Sequence, residues 1–402
     1  MSHLRLRVTV GGLVVLLIAA AVGNYLRPVP PATGVASVSS PGSGGKLPNI
    51  PWPANAQAAL AINGTGATIS SNGARPLPIA SVTKVMTALL TLDAKPLTSG
   101  QQGPTITLTD ADVQDYQNAR GSSQSFVQVQ GGEQITEYQA LQGMLIPSGN
   151  NLATTLARWA GGSEQGFVQQ MNARAKSLGM NQTRFADPSG FSDQNVSTPT
   201  DLTYLGQAAM ANPVLAQIVG QAQTDLPVAG TVYNVNTALG QDGIVGIKTG
   251  SLPPPAGSLL LFAANVPAPG GGTAMVLGAV QGLETLDQVF AATHSLLSVV
   301  PSALYKAQIA KRGQTVGHYQ APWGGSVPIV ATEDVAPVAW KGTPLKVNLA
   351  LSDLYAPATS GQVVGKLQAV AGRGGYATPV VTDGGLQNPG PVWRVVRAPW
   401  NS

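Results

Sequence analysis

Cysteine is absent from this 402-residue chain. No disulfide can staple the fold, and no thiolate is available for zinc or an iron–sulfur cluster. The three histidines are too few for a zinc site, and one of them, His3, sits at the extreme N-terminus. No metal and no cofactor is therefore expected. Charge is scarce as well. Asp, Glu, Lys and Arg make up 10% of the chain, against about a quarter in an ordinary soluble domain. The net charge of +4 is spread thinly, with no Lys/Arg cluster of the kind a phosphate-binding stripe needs. Nucleic acid is thereby excluded as a partner. What the chain does have is apolar mass, 44% hydrophobic residues, and much Gly (48) and Pro (31) for loops. Solubility falls to Gln, Asn, Ser and Thr. The length accommodates two or three domains.

His3, Arg5 and Arg7 precede an apolar run over residues 8–22, and Arg27 follows it. The pattern over residues 1–27 predicts a signal peptide, with small residues for cleavage near Ala19, Ala21 and Gly23, or an uncleaved signal anchor extending to Leu26. Either reading places the body of the protein outside the cytoplasm, with membrane contact through this segment alone. Residues 28–51 are Pro-, Gly- and Ser-rich without periodicity. They are expected to be a linker that buries too little to order itself.

Short strands are predicted over 56–62 and 65–70, around the turn Asn63-Gly64. Val82, Val85, Met86, Leu89 and Leu90 then repeat at helical spacing, predicting a helix from about Ser81. Residues 105–108 and 126–129 read as strands, with Thr109 capping a short helix between them. Further helices are expected from Thr136 to Pro147, over Asn150–Ala160, over Glu164–Leu178 and over Thr200–Ala209. Strands with Gly- and Pro-rich turns follow from Thr231, then a helix over 281–299. The order predicts an α/β (α+β) fold over 52–305, an antiparallel sheet flanked by helices with an all-helical region inserted. Beyond residue 310 only short strands are expected, as a separate β domain over 310–402.

Three short motifs carry reactive groups. Ser81 and Lys84 stand three apart, on one face of a helix. A buried lysine loses charge, and a neutral amine can take a proton from a serine. Ser148 and Asn150 flank Gly149 in a loop before a helix, where a hydroxyl can relay a proton and an amide can orient a substrate. Lys248, Thr249 and Gly250 lie on a strand. They offer a cation and a hydroxyl to a carboxylate, and a bare main chain for a peptide to lie against. Taken singly, each reads equally well as a helix start, a cap or a solvated edge. Together they stand in order, 67 and 100 residues apart, on a helix, in a loop and on a strand. That is the layout of serine penicillin-recognising enzymes.

The flanks extend the likeness. Pro78 to Ala88, Leu145 to Asn151, Phe185 to Phe191, Ser197 to Leu202 and Gly243 to Gly250 resemble the D-alanyl-D-alanine carboxypeptidases, the low-molecular-mass penicillin-binding proteins of peptidase family S11. The likeness covers about residues 50–300 and, less specifically, the C-terminal β domain. Ser251 departs from the family, where an aromatic residue and a Thr are usual after the glycine. The resemblance implies a sheet with helices on both faces and a site in the cleft. The expected partners are peptidoglycan stem peptides ending in D-Ala-D-Ala and β-lactams that mimic them. Ser81 would attack the penultimate carbonyl with Lys84 as base, and Ser148 would help protonate the leaving D-Ala. Asn150, Lys248, Thr249, Gly250 and Ser251 would hold the substrate, with the N–H groups of Ser81 and Ser251 on the oxyanion.

Three other readings differ in one respect each. A D,D-endopeptidase uses the same machinery on crosslinks. A class A β-lactamase needs a Glu for its deacylating water. None stands near residue 184, and Glu164 comes too early and reads as a solvated helix-start residue. A non-catalytic wall-binding protein would have lost Ser81, Lys84 or Lys248, and all three are present.

Overall fold

The computed structural model describes residues 2–372 and 375–397. The chain divides into two units. One comprises Lys46–Tyr305 with Val338–Gly342, the other Met1–Gly45, Lys306–Pro337 and Thr343–Ser402.

The first unit holds a five-stranded antiparallel sheet in the order Ile244–Leu252, Gly257–Pro267, Thr273–Leu283, Gln57–Ile62, Thr68–Ser70. The three central strands are buried along most of their length, and read accordingly as near-continuous apolar runs. Alternate residues serve opposite faces. Leu259, Leu261 and Ala263 join the core of the helical region. Leu260 and Phe262 turn to the other face, where the helix Leu286–Ala303 packs. The helix Pro199–Ala211 covers the first face. The strand Ile244–Leu252 is an edge, paired only with Gly257–Pro267 in its sheet.

The helical region lies between sequence-distant strands of that sheet. Its helices are Thr83–Ala94, Asp110–Gly121, Glu137–Leu145, Asn150–Gly161, Glu164–Ser177, Pro199–Ala211 and Pro213–Val219. Thr109 and Thr136 each close a capping box on the helix that follows, so two free N–H groups find partners at each start. Two expectations shift. The segment 126–129 forms no strand. Val127 instead exchanges N–H and C=O with the side-chain amide of Asn151 (2.9 and 3.0 Å), which stands in for a neighbouring strand. The last helix starts at Leu286 rather than 281, because Thr285 caps it and residues 281–283 complete a strand.

The second unit is a six-stranded antiparallel sheet in the order Thr33–Ala36, Thr315–Gln320, Ser326–Ala331, Gly375–Thr382, Val363–Val370, Lys346–Leu351. Val316, Tyr319, Ile329, Leu367 and Val380 form its core. Here the expected linker is corrected. Thr33–Ala36, inside the Pro- and Gly-rich stretch, pairs with Gly317–Gln320 as an exposed edge strand. Such pairing uses main-chain groups and asks little of side chains, so composition hid it. The unit is also not purely β. Helices Ser2–Leu26 and Pro391–Val396 belong to it and meet where Asn24 Nδ2 donates to Val395 O (2.7 Å). Among the described residues no helix is long and apolar enough to cross a membrane.

Candidate active site

Ser81 stands in a single 3-10 turn, Ala80–Val82, that runs directly into the helix Thr83–Ala94. One turn on, Lys84 is fully buried. Its Nζ lies 2.8 Å from Ser81 Oγ, 2.6 Å from Asn150 Oδ1 and 2.7 Å from the main-chain oxygen of Ser189. Burial pushes the Lys84 ammonium well below its ordinary pKa. The charge of Lys248 pushes the same way, against an opposing pull from Asp187. The neutral amine has two hydrogens and one lone pair. Asn150 Oδ1 and Ser189 O can only accept, so they claim the two hydrogens. The lone pair is left facing Ser81 Oγ, the atom whose proton must go.

Asn150 cannot turn over. Its Nδ2 donates to Gln124 Oε1 (2.6 Å), which leaves Oδ1 for the lysine. Both ends of the amide are thus engaged inside the protein. Beside the substrate contact expected of it, Asn150 thus orients Lys84. Ser148 is buried with φ at +70°, and its hydroxyl has no hydrogen-bond partner among the described residues. It does not cap the helix Asn150–Gly161, whose N-cap is Gly149 without a side-chain bond. A buried hydroxyl without a partner is costly.

Ser189 was not singled out by its sequence, and its loop is a finding of the structure. The Asp187 carboxylate accepts from Ser189 N and Oγ, Gly190 N, Ser192 N and Asn195 Nδ2, at 2.6 to 2.9 Å. Burial alone would raise this acid, but the hydrogen bonds outweigh it and hold it below the usual carboxylate range. Gly190, at φ +83°, presses this loop onto the nucleophile turn. A Cβ there would lie 1.8 Å from Ala80 O. Thr87 Oγ1 ties the loop to the nucleophile helix by donating to Pro188 O (2.6 Å). The only sequence signal for these contacts was the family-like stretch Phe185–Phe191. Gln124 had none.

The edge strand brings Lys248, Thr249, Gly250 and Ser251 to the same place. Lys248 is 2% exposed and burial pushes its ammonium down to about 7. Neither Lys248 nor the Thr249 hydroxyl has a hydrogen-bond partner among the described residues. Gly250 is needed for a further reason beside the one expected. A Cβ there would meet Leu259 Cδ2 at 2.6 Å, Ile79 O at 2.9 Å and Ala80 Cβ at 3.0 Å. The missing side chain lets the strand close on the Ser81 turn. The Ser251 hydroxyl pairs with Ser258 Oγ (2.9 Å), so what Ser251 offers a ligand is its main chain.

A polar cavity of about 290 Å³ opens beside Asn150 and Ser189, with Glu164 and Asp187 in its wall. Glu164 is exposed in the first turn of its helix, as expected, and its side chain also reaches this cavity. Its carboxyl is raised by burial and by the nearby charges of Asp187 and Asp115. Among the described residues no group of acids, histidines or cysteines could hold a metal ion.

A serine beside a buried, oriented lysine, with an unpaired cation on a strand edge close by, is a serine acyl-transfer site in which lysine takes the part that histidine plays elsewhere. Residues 48–265 match the family model described as D-alanyl-D-alanine carboxypeptidase (Peptidase S11), and the chain belongs to that family. A D-alanyl-D-alanine endopeptidase of Pseudomonas aeruginosa is 36% identical over 187 residues, 46% of this chain and 56% of that protein. The D-alanyl-D-alanine carboxypeptidase DacB2 of Mycobacterium tuberculosis is 37% identical over 180 residues, 43% of this chain and 57% of that one. The chain thus spans little more than half the length of these relatives. The fold extends further than the sequence match. A peptidoglycan synthesis regulatory factor (PBP3) from Streptococcus pneumoniae superposes with a TM-score of 0.68 at 21% identity, over 83% of this chain and all of that one.

Proposed function

We propose that the protein is a serine-type D-Ala-D-Ala carboxypeptidase that removes the terminal D-alanine from peptidoglycan stem peptides. The observation that carries this reading is Lys84 Nζ held 2.8 Å from Ser81 Oγ by two acceptors that fix its lone pair. The substrate carboxylate pairs with Lys248 and Thr249, whose side chains have no hydrogen-bond partner among the described residues. Ser81 Oγ attacks the penultimate carbonyl carbon as its proton passes to Lys84. The N–H groups of Ser81 and Ser251 receive the oxyanion. The C–N bond then breaks, and the leaving D-alanine amine takes a proton through Ser148. Water attacks the ester on Ser81 with Lys84 again as base, releasing the shortened peptide. A β-lactam, whose ring amide and carboxylate imitate the dipeptide, acylates the same oxygen.

A second reading has support in the name of the Pseudomonas relative. If the leaving amine belongs to a crosslinked neighbour instead of free D-alanine, the same steps make an endopeptidase. The basic-then-apolar pattern of residues 3–22 supports a site of action outside the cytoplasm, where peptidoglycan lies.

Intact-mass spectrometry of the full-length chain with benzylpenicillin tests the reading. A single adduct on Ser81 that persists for minutes, with D-alanine released from a D-Ala-D-Ala peptide, is expected. Release of a crosslinked dimer's halves in preference to free D-alanine would favour the endopeptidase. An adduct lost within seconds would make the chain a β-lactamase and turn attention to Glu164. No adduct and no release would refute the active serine.

A further inference from the structure

The hydrogen bonds that aim Lys84 do not end at Asn150, and each has a direction. Lys84 Nζ donates to Asn150 Oδ1 (2.6 Å), and Asn150 Nδ2 donates to Gln124 Oε1 (2.6 Å). Gln124 Nε2 in turn donates to Ser122 Oγ (3.2 Å), and the Ser122 hydroxyl donates to Asn118 O. A carbonyl oxygen can only accept, so it takes the one hydroxyl hydrogen of Ser122. Ser122 Oγ must then accept from Gln124, which turns Gln124 Oε1 toward Asn150. The direction is thus set at Asn118 O, in the last turn of the helix Asp110–Gly121, where carbonyls have no partner inside the helix. The same helix end fastens the main chain of the loop. Gln124 N donates to Ala119 O (2.9 Å), and Asn150 N donates to Ser125 O (2.9 Å). Ser123, between Ser122 and Gln124, adopts φ +54°, so the turn that presents Gln124 is held against local preference.

We propose that Gln124 is a positioning residue for acyl transfer: the middle link of a one-way hydrogen-bond chain from a helix end to Lys84, it keeps the Asn150 amide from turning over and the lysine lone pair on Ser81. The proposal rests on the active-serine reading and adds to it a residue that acts only through Asn150. The two ends of an amide have nearly the same shape. Turned over, Asn150 would point Nδ2 at Lys84. The lone pair of the neutral amine would then accept from Nδ2, and a hydrogen would face Ser81 Oγ, leaving nothing to receive the serine's proton. Gln124 and Asn118 line the polar cavity beside Asn150, so without the Gln124 side chain water takes its place. Water donates as readily as it accepts and fixes neither orientation.

The experiment follows benzylpenicillin acylation of Ser81 in the full-length chain by stopped flow across pH. Gln124→Met keeps the shape of the side chain and removes its acceptor. Gln124→Asn keeps an amide that is one methylene too short to reach. Both should acylate roughly two- to tenfold more slowly on the plateau, the share of one neutral hydrogen bond. The acid limb, set by the proton on Lys84, should move to lower pH, because a donor at Nζ in place of Oδ1 disfavours the ammonium. Lys248 and Asp187, whose charges also bear on Lys84, are unchanged in both variants. In an Asn150→Asp background both ends of residue 150 accept and no orientation remains to be fixed, so Gln124→Met should add less than about a twofold loss. Wild-type rates in both Gln124 variants, an acid limb that stays in place, or an equal loss in the Asn150→Asp background would each overturn the proposal, while acylation of the wild type keeps the active serine intact. A wild-type chain that takes no adduct would overturn both.

Discussion

Gly190→Ala tests whether the Asp187 loop holds the catalytic lysine in place. The added Cβ would sit 1.8 Å from Ala80 O and 2.9 Å from Ser81 N, both main-chain atoms with no flexible side chain to yield. The residue is also at φ +83°, where an L-residue costs about 1–2 kcal/mol. Overpacking adds about 1–3 kcal/mol. The sum, about 2–5 kcal/mol, should lower Tm by roughly 5–15 °C. The loop can escape only by moving off the Ser81 turn, and Ser189 O moves with it. Losing one of the two acceptors that aim Lys84 forfeits a hydrogen bond from the neutral amine of about 0.5–1.5 kcal/mol. Penicillin acylation should then slow by roughly two- to tenfold. Gly132→Ala is the matched control. It shares the left-handed backbone (φ +76°) but has open space around its Cβ, so it should pay the backbone cost and acylate normally. Thermal melts and stopped-flow acylation decide it. A Gly190→Ala protein that acylates like the wild type, or that is no less stable than Gly132→Ala, would refute the reasoning.

Lys84→Arg keeps a cation but cannot supply a neutral amine, and it should slow acylation roughly a hundred- to ten-thousandfold, measured by intact mass. Lys248 is pushed down to about 7 by burial. Binding of a D-Ala-D-Ala peptide should therefore weaken above pH 7, seen as a rising KM, while the C-terminal amide of the same peptide should show no such rise. The same lowered pKa means the unfolded chain binds more protons than the native one between about pH 7 and 10.5. Stability should rise with pH across that window, and Lys248→Met should flatten the rise in denaturant titrations. Asp187 is held below the ordinary range, so its contribution is present above about pH 4 and lost as pH falls through its lowered value. Asp187→Asn should cost about 1.5–3 kcal/mol at neutral pH and remove that acid limb of the stability curve. A variant as stable as the wild type at pH 7 would count against the hub.

Much of the site could be read from the chain because its chemistry is local. Ser81 and Lys84 are one helical turn apart, and a helix brings such a pair together whatever lies around it. Helix starts at Thr109 and Thr136 were legible for the same reason, since a cap acts on N–H groups within its own turn. Contacts across the fold were not legible. Asn150 resembles a substrate-binding amide in sequence, and only its bonds to Lys84 and Gln124 show it orienting the base. That Gly250 also lets the edge strand close on the Ser81 turn shows only once Ile79 O and Ala80 Cβ lie beside it. The edge strand Thr33–Ala36 looked like linker because its pairing runs through the main chain, which carries no residue code.

Sequence alone determined the reactive groups, their order and the local turns that present them, because spacing along a helix or strand sets which side chains share a face. Tertiary structure alone decided the state of those groups. Burial disfavours the charge on Lys84, and two acceptors distant in sequence (Asn150 and Ser189) are placed to aim its lone pair. The close approach of Gly190 and Gly250 to the Ser81 turn holds the parts together, and that approach is a property of packing.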